Sequence, residues 1–204
     1  MSENIHWLGH ASFRIEGAQV VYIDPWKVKD GEKADLILIT HSHYDHCSPE
    51  DVAKIQKDGT GIVTVADCES KLSGEVRVVA PGDRVTVHGI PVVAVPAYNI
   101  GKSFHPKANG WVGFVVAVDG TRIYHAGDTD RVPEMDHVEA DIALLPIGGT
   151  YTMTASEAAE AAIAIGPKTA VPMHWGDIVG SKRDAKRFRE LCAGKVEVEI
   201  LRAE

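Results

Sequence analysis

The chain has 204 residues, an apolar fraction of 45% and a formal net charge of −8. That length suits one domain with a substantial core, read as a single unit over residues 1–204. The acidic balance excludes a surface built to follow phosphate backbones, so no nucleic-acid partner is expected, and no apolar run is long enough to span a bilayer.

The start, MSENIHWLGH, lacks a basic segment followed by an apolar core and is not read as a secretory signal. Cys47, Cys68 and Cys192 are odd in number and form no CxxC pair, which predicts free thiols in a reducing compartment and a cytoplasmic location. Strands are predicted at IHWLG, SFRIE, VVYID and the apolar run ADLILIT. A helix then starts after Ser48, with Pro49 at its first position and Asp51 where a capping box takes an acid. GIVTV is a strand, DCESKL a short helix and VRVVA a strand. RVTVHG and IPVVAVP alternate Val residues as a hairpin, and a long loop runs from Ala97 to about Gly110. WVGFVVAV and TRIYHAG flank Asp119-Gly120, a strong hairpin signal. DIALLPI is a buried strand, and Thr154 to Gly166 a helix with a Thr154/Glu157 capping box and a Gly-Pro stop. TAVPMH, a helix over Ser181 to Cys192 and a strand at KVEVEIL complete the chain. The basic cluster SKRDAKRFR has acids interspersed and reads as a solvated helix face. Apolar runs such as ADLILI and DIALLPI need cover on both faces, so two β-rich halves with outer helices are predicted.

Between ADLILIT and the capped helix lies THSHYDHC, which places His41, His43, Asp45 and His46 on one short loop. Mounted between a core strand and a helix, these side chains can gather around a cation at little entropic cost. Other candidate ligands also follow strands: Asp128 in YHAGDTD, His174 at the end of AVPMH, and His105 on the long loop after VVAVPA. Singly, such residues are ordinary turn acids or structural histidines. Jointly with the His-x-His-x-Asp-His loop they point to a metal site.

The loop, Asp128 and His174 resemble the metallo-β-lactamase superfamily, and the order of elements matches over nearly the whole chain. The resemblance implies an α/β (α+β) fold, the four-layer αββα sandwich. WLGHASFRI, IDPW, YHAGDTD and LLPIGGTYTM are most similar to metal-dependent hydrolases related to L-ascorbate-6-phosphate lactonase, and also to the phospholipase acting on N-acylphosphatidylethanolamines. The resemblance implies His41 and His43 in a first metal site, Asp45, His46 and His174 in a second, and Asp128 bridging both. It also implies a third first-site histidine where this chain has Tyr98 and Asn99. His105 is expected to replace it, since the loop from Asn99 spans at most ~20 Å and can double back. Two alternatives stay open: Asn99 as an oxygen ligand, or His105 as a general acid.

The chemistry implied is hydrolysis of a small ester, lactone or phosphodiester by a metal-activated hydroxide, with Asp45 and Asp128 as the catalytic carboxylates. The cofactor expected is zinc, one or two ions, with manganese, iron or nickel compatible. His43 stands where diiron oxygen-reducing relatives have glutamate, which favours hydrolysis. The partner expected is a small-molecule substrate. Alternatives are a phospholipase- or nuclease-type phosphodiesterase, or a metal-bound sensor without catalysis. Asp24 is read either as support behind a ligand histidine or as a turn acid, and His10 as a cleft residue or a buried structural one. His125 is assigned a structural role; His6, His88 and His137 are read as surface or turn residues, and Trp111 and Trp175 as core or pocket wall. Lys102 and Lys107 flank His105 as candidate anion contacts or solvated lysines.

Overall fold

The computed structural model describes residues 3–29 and 31–204. The first sheet holds β1 (Ile5–Gly9), β2 (Ser12–Ile15), β3 (Val21–Ile23), β4 (Leu36–Leu38), β5 (Gly61–Thr64) and β6 (Glu75–Val78) in that spatial order. The second holds β7 (Arg84–Val87), β8 (Ile90–Pro96), β9 (Val112–Val118), β10 (Thr121–His125), β11 (Ile142–Pro146), β12 (Thr169–Met173) and β13 (Glu197–Val198), again as ordered neighbours. Each sheet opens with antiparallel pairs and ends with parallel ones. Four of the six parallel connections carry α-helices: α1 (Pro49–Ile55) and α2 (Ala66–Glu69) in the first half, α3 (Ala155–Ile165) and α4 (Lys182–Cys192) in the second.

Strand alternation decides the layers. In β11, Ile142 and Leu144 join the core between the sheets, where Phe13, Leu38, Val92 and Phe114 also pack. Ala143 and Leu145 face the other way, into a second core with Ala158, Ala162 and Phe188 of α3 and α4. A strand buried on both faces reads as an unbroken apolar run, as DIALLPI does. The result is the expected αββα sandwich. Among the described residues no helix is long and apolar enough to cross a membrane.

Local signals act as the sequence predicts, with two differences. Thr154 and Glu157 form the reciprocal capping box of α3, and Gly166 closes that helix with φ +65°. Asp119 and Gly120 both take positive φ in the β9–β10 turn. At α1, however, Ser48 caps without a reciprocal box. The short Asp51 carboxylate instead accepts from the Lys27 and Val28 backbone N–H groups and from Lys54, tying a distant loop to the helix start. The last strand is also shorter than KVEVEIL. The chain leaves β12 after Ala170 and crosses to the first sheet, where the Glu204 N–H donates to the Trp7 carbonyl.

Candidate metal centre

The parallel pairing of β3 and β4 sets Ile23 beside Leu38, so the strand ends Asp24 and Thr40 emerge together. Asp24 is fully buried with φ +47°. Its carboxylate accepts from the Thr40 N–H (2.8 Å), the Thr40 hydroxyl (2.7 Å) and His46 Nδ1 (2.7 Å). The Thr40 proton is thereby committed, and Thr40 Oγ1 accepts from His41 Nδ1 at 2.9 Å. In both imidazoles Nδ1 is committed to this network, which leaves Nε2 as the atom turned to the open side, where a cation would take it. His46 N–H and Cys47 N–H both close onto the His43 carbonyl, which folds the loop into a compact turn.

Asp128 arrives from the end of β10 through Gly127, whose φ of +66° suits glycine and where a Cβ would come within 2.9 Å of the Val112 carbonyl. His174 arrives from the end of β12 with φ +58°, its N–H bonded to the His10 carbonyl and its ring centroid 3.8 Å from that of His10, the planes tilted by 44°. His10 itself has φ +51° and places Nε2 at 3.0 Å from Asp45 Oδ2. Three non-glycine residues in left-handed backbone around one cluster store strain where function concentrates it.

The loop after β8 returns His105 to the cluster. The Asn99 amide oxygen accepts from both His105 N–H and His105 Nδ1, each at 3.0 Å, while Asn99 Nδ2 donates to the Tyr151 carbonyl. His105 Nε2 then stands 3.3 Å from Asp128 Oδ2.

All seven residues singled out in the sequence therefore converge. His41, His43 and His105 offer ligand atoms within 4.8 Å of one another; so do Asp45, His46 and His174 together with His10. Asp128 lies between the groups, Oδ1 at 3.4 Å from His46 Nε2 and Oδ2 at 3.1 Å from His174 Nε2. Buried His46 Nε2, His105 Nε2, His174 Nε2 and Asp128 Oδ1 have no hydrogen-bond partner. Orphaned buried atoms are costly, and so many converging on one point fit a cation that would satisfy them together.

The cluster's own charges and burial set its protonation. Burial would raise the Asp128 carboxyl, but the His174 and His46 imidazoles outweigh it and hold the group well below the usual carboxylate range. Burial, reinforced by His46, pushes His41 well below the ordinary imidazole value, and burial with His105 lowers His43. Burial opposes protonation of His46, yet the Asp128 and Asp24 charges prevail and raise it well above that value. Asp45 is lowered against the effect of burial by the His10 hydrogen bond.

Other residues find structural roles. His125 is buried against the Ala11 carbonyl. Lys102 binds Asp130 and the Thr152 carbonyl, and Lys107 binds Glu134 and the Tyr98 hydroxyl. Cys47, Cys68 and Cys192 are buried free thiols. Sequence reasoning left Asp24 and His10 open and assigned Asn99 no role as a clamp on His105; it took the loops 101–110 and 148–153 as pocket-forming, and these carry the cleft walls Phe104 and Tyr151, but it did not find Tyr44 and Ile178. For Tyr44 the available signal was an aromatic residue inside the ligand loop. A larger groove, about 490 Å³, lies between β8 and the Pro133–His137 turn and contains none of the candidate ligands.

The family model described as "Beta-lactamase superfamily domain" matches residues 4–174. The chain is 36% identical to a metal-dependent hydrolase of Pyrococcus abyssi, covering 97% of this chain and 96% of the relative. It is 39% identical to a metal-dependent hydrolase of Thermoplasma acidophilum, covering 97% and 93%. Among solved structures it is similar to a protein of Parabacteroides distasonis ATCC 8503, with TM-score 0.87, 33% identity and coverage of 96% and 91%. It is also similar to Igni18, a metallo hydrolase of Ignicoccus hospitalis, with TM-score 0.80, 26% identity and coverage of 98% and 94%.

Proposed function

Because the chain belongs to the metallo-β-lactamase superfamily, we propose that it is a metal-dependent hydrolase with a dinuclear centre that cleaves a small ester, lactone or phosphodiester. The observation that carries the reading is Asp128, set between two groups of imidazoles whose inward nitrogens have no other partner. In this assignment His41, His43 and His105 would hold one ion and Asp45, His46 and His174 the other, with Asp128 available to both. Asn99 is committed to His105 through its amide oxygen, which supports His105 rather than Asn99 as the ligand. Imidazole and carboxylate donors suit zinc, and also manganese, iron or nickel.

Bound divalent ions supply Lewis acidity and a water whose pKa falls toward about 7. The chain's own residues do the rest. Asp45 is ionised at neutral pH and is oriented through Oδ2 by His10, so Oδ1 can take a proton from water and return it to the leaving oxygen. His10, lowered chiefly by burial, stays a neutral donor to Asp45. Asp24 and Asn99 hold His46 and His105 in fixed tautomers, so the donor atoms need no reorganisation during turnover.

The test is metal content and turnover together. Zinc- or manganese-supplemented protein should carry metal and hydrolyse bis(p-nitrophenyl) phosphate or a member of a lactone and ester panel. Asp128→Asn should lose most of the rate with a near-native circular dichroism spectrum, because an amide is a poor bridge without charge. Metal-loaded protein inactive on every substrate would favour a sensor, and wild-type turnover in Asp128→Asn would reduce Asp128 to a turn residue.

A further inference from the structure

The cleft above the candidate ligands holds about 220 Å³, and its walls are Tyr44, Phe104, Tyr151 and Ile178. Among the described residues six large hydrophobic side chains are exposed, and three of them, Tyr44, Phe104 and Ile178, border this one opening. Scattered apolar side chains on a surface are ordinary, whereas three gathered from three separate loops form a patch. Tyr44 is 67% exposed although it lies inside the ligand loop. Phe104 precedes His105 and packs edge-on against Tyr151, with ring centroids 4.7 Å apart and planes at 88°. That contact makes a firm aromatic wall beside the reacting centre.

Charge is arranged in the opposite sense. Among the described residues no Lys or Arg lines the cleft. The nearby cations are committed elsewhere: Lys102 to Asp130 at 2.5 Å, Lys107 to Glu134 at 2.9 Å and Lys27 to Asp177 at 2.7 Å. An anionic group several bonds from the scissile linkage would meet apolar walls there and no cationic side chain.

The geometry points to a substrate that is neutral beyond its scissile group and carries a short apolar arm, an acyl chain or small ring, packed on Phe104 and Tyr151. Its length is limited, since about 220 Å³ falls below the ~300–1,000 Å³ of pockets for drug-sized ligands. Phe104 and Tyr151 are then specificity-determining residues, and lactones or esters with a remote phosphate or carboxylate are poor substrates. The inference rests on the hydrolase reading above.

The experiment compares p-nitrophenyl butyrate with mono-p-nitrophenyl succinate on the metal-loaded full chain. The two differ by a carboxylate in place of the terminal methyl. Binding of their non-reacting amides, N-(4-nitrophenyl)butanamide and N-(4-nitrophenyl)succinamate, is measured alongside by calorimetry. The butyrate is expected to lead in kcat/KM by at least about tenfold, and the neutral amide to bind tighter. From acetate to butyrate each methylene should raise kcat/KM about fourfold. Phe104→Ala and Tyr151→Ala should shrink both the neutral-over-anionic ratio and the chain-length effect. An anionic member equal or better in rate or in binding, or ratios unchanged in both variants, overturns the inference. If neither ester, no lactone and no bis(p-nitrophenyl) phosphate is cleaved, the hydrolase reading falls, while the amide binding still decides whether the cleft prefers a neutral apolar ligand.

Discussion

Asp24→Asn tests how much of the centre depends on a residue that touches no substrate. The carboxylate receives three donors at 2.7–2.8 Å, from Thr40 N–H, Thr40 Oγ1 and His46 Nδ1. Asparagine has nearly the same shape and tolerates the φ of +47°, so the backbone is preserved. Its amide oxygen can keep the Thr40 N–H, but its NH2 then faces two donors. His46 relieves the conflict only by moving its proton to Nε2, and Thr40 only by turning its hydroxyl toward His41 Nδ1, which moves the His41 proton inward as well. One amide thus unsets the tautomers of two candidate ligands. Removing support of this kind typically costs 10–100-fold in metal affinity, about 1.4–2.8 kcal/mol. Competition with a chromophoric zinc chelator measures it, and nitrogen-15 shifts of His41 and His46 report the tautomers. Affinity within about twofold of wild type, with Nε2 still unprotonated on both rings, would refute the reasoning.

His105→Ala should lose about one metal equivalent, the expectation if His105 is a ligand of the two-ion centre, and Asn99→Ala should weaken the same ion by freeing the His105 ring. Full metal content with lost rate in His105→Ala would make His105 a general acid, and metal loss in Asn99→Ala alone would make Asn99 the ligand. Gly113→Ala would set a Cβ 2.5 Å from the His125 carbonyl and 2.6 Å from that of Ala126, both backbone atoms leading into Asp128. Destabilisation of about 3 kcal/mol is expected, about 6–12 °C in Tm, and a scan showing no change would refute it. Metal-free protein should lose stability as pH falls from about 7 to 5. Buried His10, His41 and His125 and half-buried His43 are all lowered, chiefly by desolvation, so below 6.5 the unfolded chain binds protons that these sites refuse. His46, raised above the ordinary value, works in the opposite direction but is outnumbered. Each net proton is worth about 1.4 kcal/mol per pH unit, and denaturation midpoints that stay level or rise toward acid would contradict the account.

Much of this molecule is written in short stretches of chain. The burial pattern of DIALLPI, the Thr154/Glu157 box, the Asp119-Gly120 turn and the crowding of His41, His43, Asp45 and His46 all depend on neighbours a few residues apart, so sequence by itself determined them. The pairings that make the cluster a site join residues far apart in sequence. His10 meets Asp45 because the turn after β1 packs over the loop after β4, and Asp24 meets His46 because β3 and β4 run parallel in one register. Lys102 and Lys107 look free beside His105 in the sequence, but folding sets Asp130 and Glu134 against them. The cleft walls come from separate loops carrying Tyr44, Phe104, Tyr151 and Ile178, with no spacing that marks them as one surface. Only tertiary structure decided these, because side-chain periodicity reports which face of an element is buried and carries no record of which loop will lie opposite it.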